Sequence, residues 1–148
     1  METRLAVEGN GALKIEGGSI VLYYGTEVHV FDGGMLTLAG HATINQRAQI
    51  ICMDSIRIGN EVLISRDVVI RDNDGGHEIL AEGYKKTAPI TIGNHVWIGQ
   101  GAMIMKGVTI GDGAIIGAGA WVAKDVKPHT LVLADPARAV QKDVEWKC

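Results

Sequence analysis

Aliphatic residues recur along this chain at a spacing that fits neither an ordinary helix nor an ordinary strand. Ile92, Ile98, Ile104, Ile110, Ile116 and Val122 stand six apart without a slip. The residues directly after them are Gly93, Gly99, Met105, Gly111, Gly117 and Ala123, five of the six small. Four places after each aliphatic comes Val96, Ala102, Val108, Ala114, Ala120 or Val126, always Ala or Val. Three matched columns over six repeats point to a solenoid before any single element is assigned.

Six residues to a side and three sides to a turn give a coil of eighteen. Residues eighteen apart then stack, so the pattern predicts interior ladders of Ile92 over Ile110, Ile98 over Ile116 and Ile104 over Val122. Strands stacked at about 4.8 Å let such a ladder exclude water along its whole length. The small columns suit corners with no room for a large side chain, where glycine also reaches backbone angles that other residues avoid. The same register returns upstream at Ile58, Ile64 and Ile70, and again at Leu38, Ile44 and Ile50. From 38 to 58 is one coil plus two residues; from 58 to 92 is one coil plus sixteen. Those sixteen must leave the prism after Ile70 and return before Ile92. Residues 1–37 read as apolar and strand-like (IVLYY, VHVF, MLTL), in a register the six-residue pattern does not fix.

Composition supports many short strands. The chain has 17 Ile and 14 Val against 9 Leu, and branching at Cβ favours strands over helices. Twenty glycines interrupt it too often for long elements, and a single Phe leaves little to fill a wide core. The expectation is an all-β fold of 148 residues in a single β-helix domain. Residues 1–37 would form irregular N-terminal coils or a cap, 38–127 the regular coils with a protruding loop at about 71–91, and 128–148 a C-terminal extension. After Pro136 the tail could form a short helix ending near Trp146.

A formal charge of −3 provides no basic surplus for nucleic acid. No stretch suits membrane insertion, and METRLAVEGN lacks the apolar run of a signal peptide, so a cytoplasmic protein is expected. Cys52 and Cys148 have no CxxC spacing, so neither a disulfide framework nor a cysteine metal site is expected. Cys52 reads as a small buried hydrophobe.

The excursion RDNDGGHEILAEGYKKTAP (71–89) holds His77 with Asp72, Asp74 and Glu78 nearby, and Gly75–Gly76 just before the histidine. From the residues alone it is either a solvated charged loop or a working one, because irregular loops of this length are uncommon without a use. Of the other histidines, His95 sits within a regular repeat and reads as a surface residue; His29, His41 and His129 have no partner spacing.

The segment PITIGNHVWIGQGAMIMKGVTIGDGAIIGAGAWVAKDVKPHTLVLADPARAV resembles the C-terminal half of the maltose and galactoside O-acetyltransferases. These are hexapeptide-repeat acyltransferases built on a left-handed parallel β-helix. The chain has no counterpart of their long N-terminal helical segment, and in that respect is more similar to short acetyltransferases of surface-polysaccharide clusters. The resemblance implies the left hand of the helix, since right-handed crossovers are the ordinary rule. It also implies a homotrimer with active sites between subunits, and acetyl coenzyme A as co-substrate with no metal.

The same resemblance assigns roles. It implies that His77 is the catalytic base on the protruding loop, removing the acceptor proton as the bond to the acetyl carbon forms. A carboxylate on the other ring nitrogen would fix its tautomer, Asp74 first and Asp72 second, though either could be a turn former or an acceptor contact. Gln100, Ala118, Ala123 and Lys124 match positions along the coenzyme A channel, and Gly99 and Trp97 line the same cleft. A backbone N–H near Gln100 could receive the oxyanion. Cations near the last coil (Lys124, Lys127, Arg138, Lys142) suit its phosphates. Arg138 lies in ADPARAV, which resembles the family element GNPARVI but has Ala134–Asp135 in place of Gly–Asn. Asn45 and Asp54 lie near positions that contact the sugar, with Asp32, Arg47 and Arg71 as alternatives.

The expected function is acetyl transfer from acetyl coenzyme A to a sugar or glycan hydroxyl, directly, with a histidine base. The alternatives are N-acetylation of an amino sugar or small amine, a γ-carbonic-anhydrase-like metal enzyme, and a non-catalytic scaffold. The metal enzyme needs three converging histidines, two of them closely spaced, and the chain has no His-x4-His.

Overall fold

The computed structural model describes residues 1–134 and 138–147, and among them eighteen short strands wind into three sheets. The first sheet stacks β1 (Arg4–Val7), β4 (Glu27–Val30), β7 (Gln49–Cys52), β10 (Val69–Arg71), β13 (Met103–Ile104) and β16 (Trp121–Val122). The second stacks β2 (Ala12–Ile15), β5 (Met35–Leu38), β8 (Ser55–Ile58), β11 (Ile90–Ile92) and β14 (Thr109–Ile110). The third stacks β3 (Ile20–Leu22), β6 (Ala42–Ile44), β9 (Val62–Ile64), β12 (Trp97–Ile98), β15 (Ile115–Ile116), β17 (Thr130–Leu133) and β18 (Arg138–Lys142). From β1 to β16 consecutive strands belong to successive sheets, so the chain turns a corner after each one. The result is a parallel β-helix.

The expected ladders are formed. Ile50, Ile70, Ile104 and Val122 pair in sequence down the first sheet. Leu38, Ile58, Ile92 and Ile110 do so down the second, and Ile44, Ile64, Ile98 and Ile116 down the third. All are buried, as are Val96, Ala102, Val108, Ala114, Ala120 and Val126 at the corners. Each isoleucine removed from water contributes roughly 1.5–3 kcal/mol. The small column has a steric cause. A Cβ on Gly99 would lie 2.6 Å from the Ala118 nitrogen and 2.7 Å from the Ile116 oxygen of the next coil.

Corners leave backbone N–H groups outside the sheets, and stacked Asn and Asp side chains satisfy some of them. Between the second and third sheets, His41 N–H donates to Asn60 Oδ1 at 2.8 Å and Asn60 N–H to Asn94 Oδ1 at 2.8 Å. Asn94 N–H continues the series to Asp112 Oδ1 at 2.7 Å.

Residues 4–30 lie in the same three sheets, in longer coils. Leu13 pairs with Leu36 and Val28 with Ile50, steps of 23 and 22 residues, where Ile92 to Ile110 is 18. The longer coils use four-residue strands with two inward side chains, such as Val28 and Val30, or Ile50 and Cys52. The later coils use two-residue strands with one.

The tail departs from expectation. No helix occurs among the described residues, and β18 instead runs back antiparallel along β17. The edge of β17 offers unpaired backbone groups that a strand can satisfy, whereas a helix of a few residues is marginal in water. Beyond it, Val144 N–H reaches the His129 carbonyl at 3.1 Å. None of the described segments is a helix long and apolar enough to cross a membrane.

Candidate active site

The candidate residues gather at two corners of the prism. Between the first and second sheets, β10 ends at Arg71 and β11 begins at Ile90, and the excursion between them carries Asp72, Asp74 and His77. Asp54 lies at the same corner one coil below, and Ala123 and Lys124 lie there further along. Between the third and first sheets lie Asn45, Gly99, Gln100 and Ala118, with Trp97 on the adjoining strand.

The excursion is anchored at its base. The Asp72 side chain is fully buried, and its two oxygens accept the backbone N–H of Met53 and of Asp54, each at 2.8 Å. Asn73 Nδ2 adds a third bond to the carboxylate at 3.0 Å, and Asn73 bridges to Thr87 on the returning arm. Asp72 therefore spends its acceptor capacity on backbone, holding the loop to the coil below. Asp74 is engaged on the other side. Its Oδ2 accepts Tyr84 Oη at 2.7 Å and the ammonium of Lys106. Lys106, and behind it Tyr84, hold the Asp74 carboxyl below the ordinary carboxylate range, and the same bond raises the Tyr84 phenol. His77 is exposed on this segment, beyond Gly75, whose N–H bonds Asn73 Oδ1 at 3.0 Å.

The other corner is a groove of about 740 Å³ lined by Asn45, Ser65, Arg66, Trp97, Gly99, Gln100 and Ala118 among others. Trp97 is partly exposed and donates Nε1–H to Ser65 Oγ at 3.3 Å. Asn45 Nδ2 caps the Ile64 carbonyl at 3.1 Å. A second groove of about 740 Å³ at the C-terminal end is lined by Trp121, Ala123, Lys124, Lys127, Ala134 and Ala139. Arg138 opens β18 beside it; its side chain and Asp135 lie outside the described residues.

The structure thus groups Trp97, Gly99, Gln100, Ala118 and Asn45 in one groove, and keeps them apart from the His77 loop by the width of the first sheet. Sequence reasoning missed Ser65 and Arg66. The 34-residue step that stacks Ile64 under Ile98 was the available signal, because it places Ser65 below Gly99 and Arg66 below Gln100. It also missed Lys106, beside the one large residue, Met105, in the small column.

The remaining candidates have structural surroundings. Burial, and behind it the Asp72 carboxylate, push the Cys52 thiol up to about 12, so it is a poor nucleophile. His29 bonds Glu8 at 2.6 Å and stacks on Phe31. His95 stacks on Trp146 at 4.1 Å, with Nε2 against the Trp146 carbonyl at 2.8 Å. Among the described residues no three His, Cys, Asp or Glu side chains converge as a metal site.

Known proteins share this architecture. Residues 89–124 match the family described as bacterial transferase hexapeptide (six repeats). Nodulation protein L of Rhizobium meliloti is 39% identical over 112 residues, 74% of this chain and 61% of that protein. The polysialic acid O-acetyltransferase of Escherichia coli is 41% identical over 96 residues, 62% of this chain and 31% of that protein. This chain therefore spans less than two thirds of the length of either relative. A hexapeptide-repeat acetyltransferase from Vibrio cholerae, solved with acetyl coenzyme A, superposes with a TM-score of 0.75 at 26% identity, covering 88% of this chain and 72% of that one. By its repeat, its ladders and these likenesses, the chain carries the bacterial transferase hexapeptide repeat over residues 89–124 and is similar in fold to acetyltransferases built on that repeat.

Proposed function

We propose that this chain transfers an acetyl group from acetyl coenzyme A to a sugar or glycan hydroxyl in the cytoplasm. The observation that carries the reading is the excursion 72–89, which raises an exposed histidine on an anchored base out of an otherwise regular prism. The relatives support it: one is named for O-acetylation of a polysialic acid, and another was solved with acetyl coenzyme A.

His77 takes the acceptor proton while the hydroxyl oxygen bonds to the acetyl carbon. The carbon–sulfur bond breaks and the thiolate leaves, to be protonated by the imidazolium. No covalent enzyme intermediate is required, and the unreactive Cys52 fits that scheme. The donor arm lies along the Trp97–Gln100–Ala118 groove, where small residues let it approach the backbone, and its phosphates meet Lys124, Lys127 and Arg138. Because groove and loop occupy different corners, one copy supplies the loop and its neighbour the groove. Repetition of that heterologous contact around a threefold axis closes a trimer with three sites. Asn45 on the groove and Asp54 below the loop would then face the acceptor from opposite walls.

The test is a thermal melt with and without acetyl coenzyme A, then thiol release over a panel of sugars. Ligand at a hundred times its Kd stabilises by about 2.7 kcal/mol, a visible upward shift. His77→Ala should keep the shift and lose about 10²–10⁴ in turnover. No shift at millimolar ligand, or normal turnover by that variant, overturns the reading. Sedimentation velocity of the native chain checks the trimer.

A further inference from the structure

We propose that Lys106 is a positioning residue for His77, holding both arms of the excursion in one clasp; this rests on His77 being the base. Lys106 lies between β13 and β14, at the corner the loop leaves and one coil further on. Its ammonium donates to Asp74 Oδ2 on the outgoing arm and to the Lys85 carbonyl on the returning arm. It also stands 4.7 Å from the centre of the Tyr84 ring, whose hydroxyl donates to the same Asp74 oxygen. One cation therefore meets a carboxylate, a carbonyl and an aromatic face, drawn from two arms joined by the segment that carries His77.

The clasp lies at the corner of the loop, away from the donor groove, and holds Asp74, three residues before the base. Backbone bonds bring the arms together, Asp74 N–H to the Lys86 carbonyl at 3.1 Å and the Asn73–Thr87 bridge, but these fix only the hinge line. Lys106 ties that hinge to the next coil, as Asp72 ties it to the coil below. Beyond Asp74 the outgoing arm has only the local bond from Gly75 N–H to Asn73 Oδ1, and Asp74 itself stands three residues before His77. The Lys106 ammonium meets all three loop groups at once, so a neutral side chain of equal length leaves the Lys85 carbonyl without that donor and the Asp74 carboxylate with the Tyr84 hydroxyl in place of a cation. A base displaced by an ångström loses up to about a hundredfold in rate without altering binding elsewhere.

The test compares Lys106→Met, Lys106→Arg, Tyr84→Phe and His77→Ala, using acetyl coenzyme A with the sugar panel and limited proteolysis of residues 75–83. Lys106→Met should lower kcat by about tenfold to a hundredfold. KM for acetyl coenzyme A and the melting temperature should stay put, and cleavage within 75–83 should quicken. Lys106→Arg should recover a good part of both losses, and Tyr84→Phe should show a smaller one. Unchanged kcat or unchanged cleavage in Lys106→Met, with His77→Ala inactive, overturns the clasp and leaves the base standing. Normal turnover by His77→Ala removes the base and the clasp's purpose with it. Should Lys106→Met not fold, Tyr84→Phe and Lys106→Arg carry the same decision through cleavage and the kcat–KM split.

Discussion

The Asp72 carboxylate accepts the backbone N–H of Asp54 at 2.8 Å, so the first residue of the excursion is fastened to the coil beneath it. Its other oxygen does the same for Met53. Asp72→Ala should strand two N–H groups in a buried place, at about 1–3 kcal/mol each. Urea denaturation should show the loss as a lower midpoint. A variant as stable as the native chain would mean water replaces the carboxylate.

Gly99 is expected to tolerate nothing larger. A Cβ there meets backbone atoms of the next coil, which cannot move like the end of a flexible side chain. Gly99→Ala should destabilise by about 1–3 kcal/mol through overpacking. Gly76, with open space around it, is the control, and Gly76→Ala should melt like the native chain.

Removing a rung from a ladder should act as a core deletion. Ile98 is fully buried between Ile64 and Ile116. Ile98→Ala should cost about 2–5 kcal/mol, read as a shift of the urea midpoint.

The Cys52 thiol should be silent to alkylation at pH 8 in the folded protein, since burial holds it protonated near 12. Peptide mapping after iodoacetamide checks this: Cys52 should carry the label only when denaturant was present.

Acid should release the excursion late. Asp74 has a folded value lowered by Lys106 and Tyr84 from the ordinary 3.8. The ion pair's stabilisation is therefore complete above the unfolded value and disappears as pH falls through the folded one. Hydrogen exchange in residues 72–76, corrected for intrinsic rates, should stay protected at about pH 5 and give way only below the unfolded value. Loss of protection at neutral pH would show that the carboxylate is not holding the arm.

The sequence made the later coils readable because they are minimal. Each side has one inward aliphatic and one small corner residue, so Ile92 to Val122 display the period directly. Residues 4–30 hide it because their strands carry two inward side chains and their coils run to 22 and 23 residues, as Leu5 over Val28 and Val28 over Ile50 show. The excursion was visible as a break in register, and His77 within it. The work of Asp72 was not, since an acidic residue in a polar loop gives no sign of burial. Lys106 was hidden for a related reason: its partners lie 21 and 32 residues away, across a loop whose path no periodicity describes. The tail misled because a strand that exists only by pairing with an edge has no pattern of its own.

The 34-residue step from Ile58 to Ile92 has a kinetic and entropic meaning. Each rung of a ladder joins residues a full coil apart, so the chain has few local contacts to nucleate on, and coils must form against coils already made. Folding of such a topology belongs in the slow, millisecond-to-second range. Against that background the excursion is a small burden. Closing 34 residues instead of 18 adds only about 0.6 kcal/mol of chain entropy, because the penalty grows with the logarithm of length. A repeat that repays every closure with buried isoleucine can therefore carry a long irregular insertion, and its chemistry, with little loss to the prism.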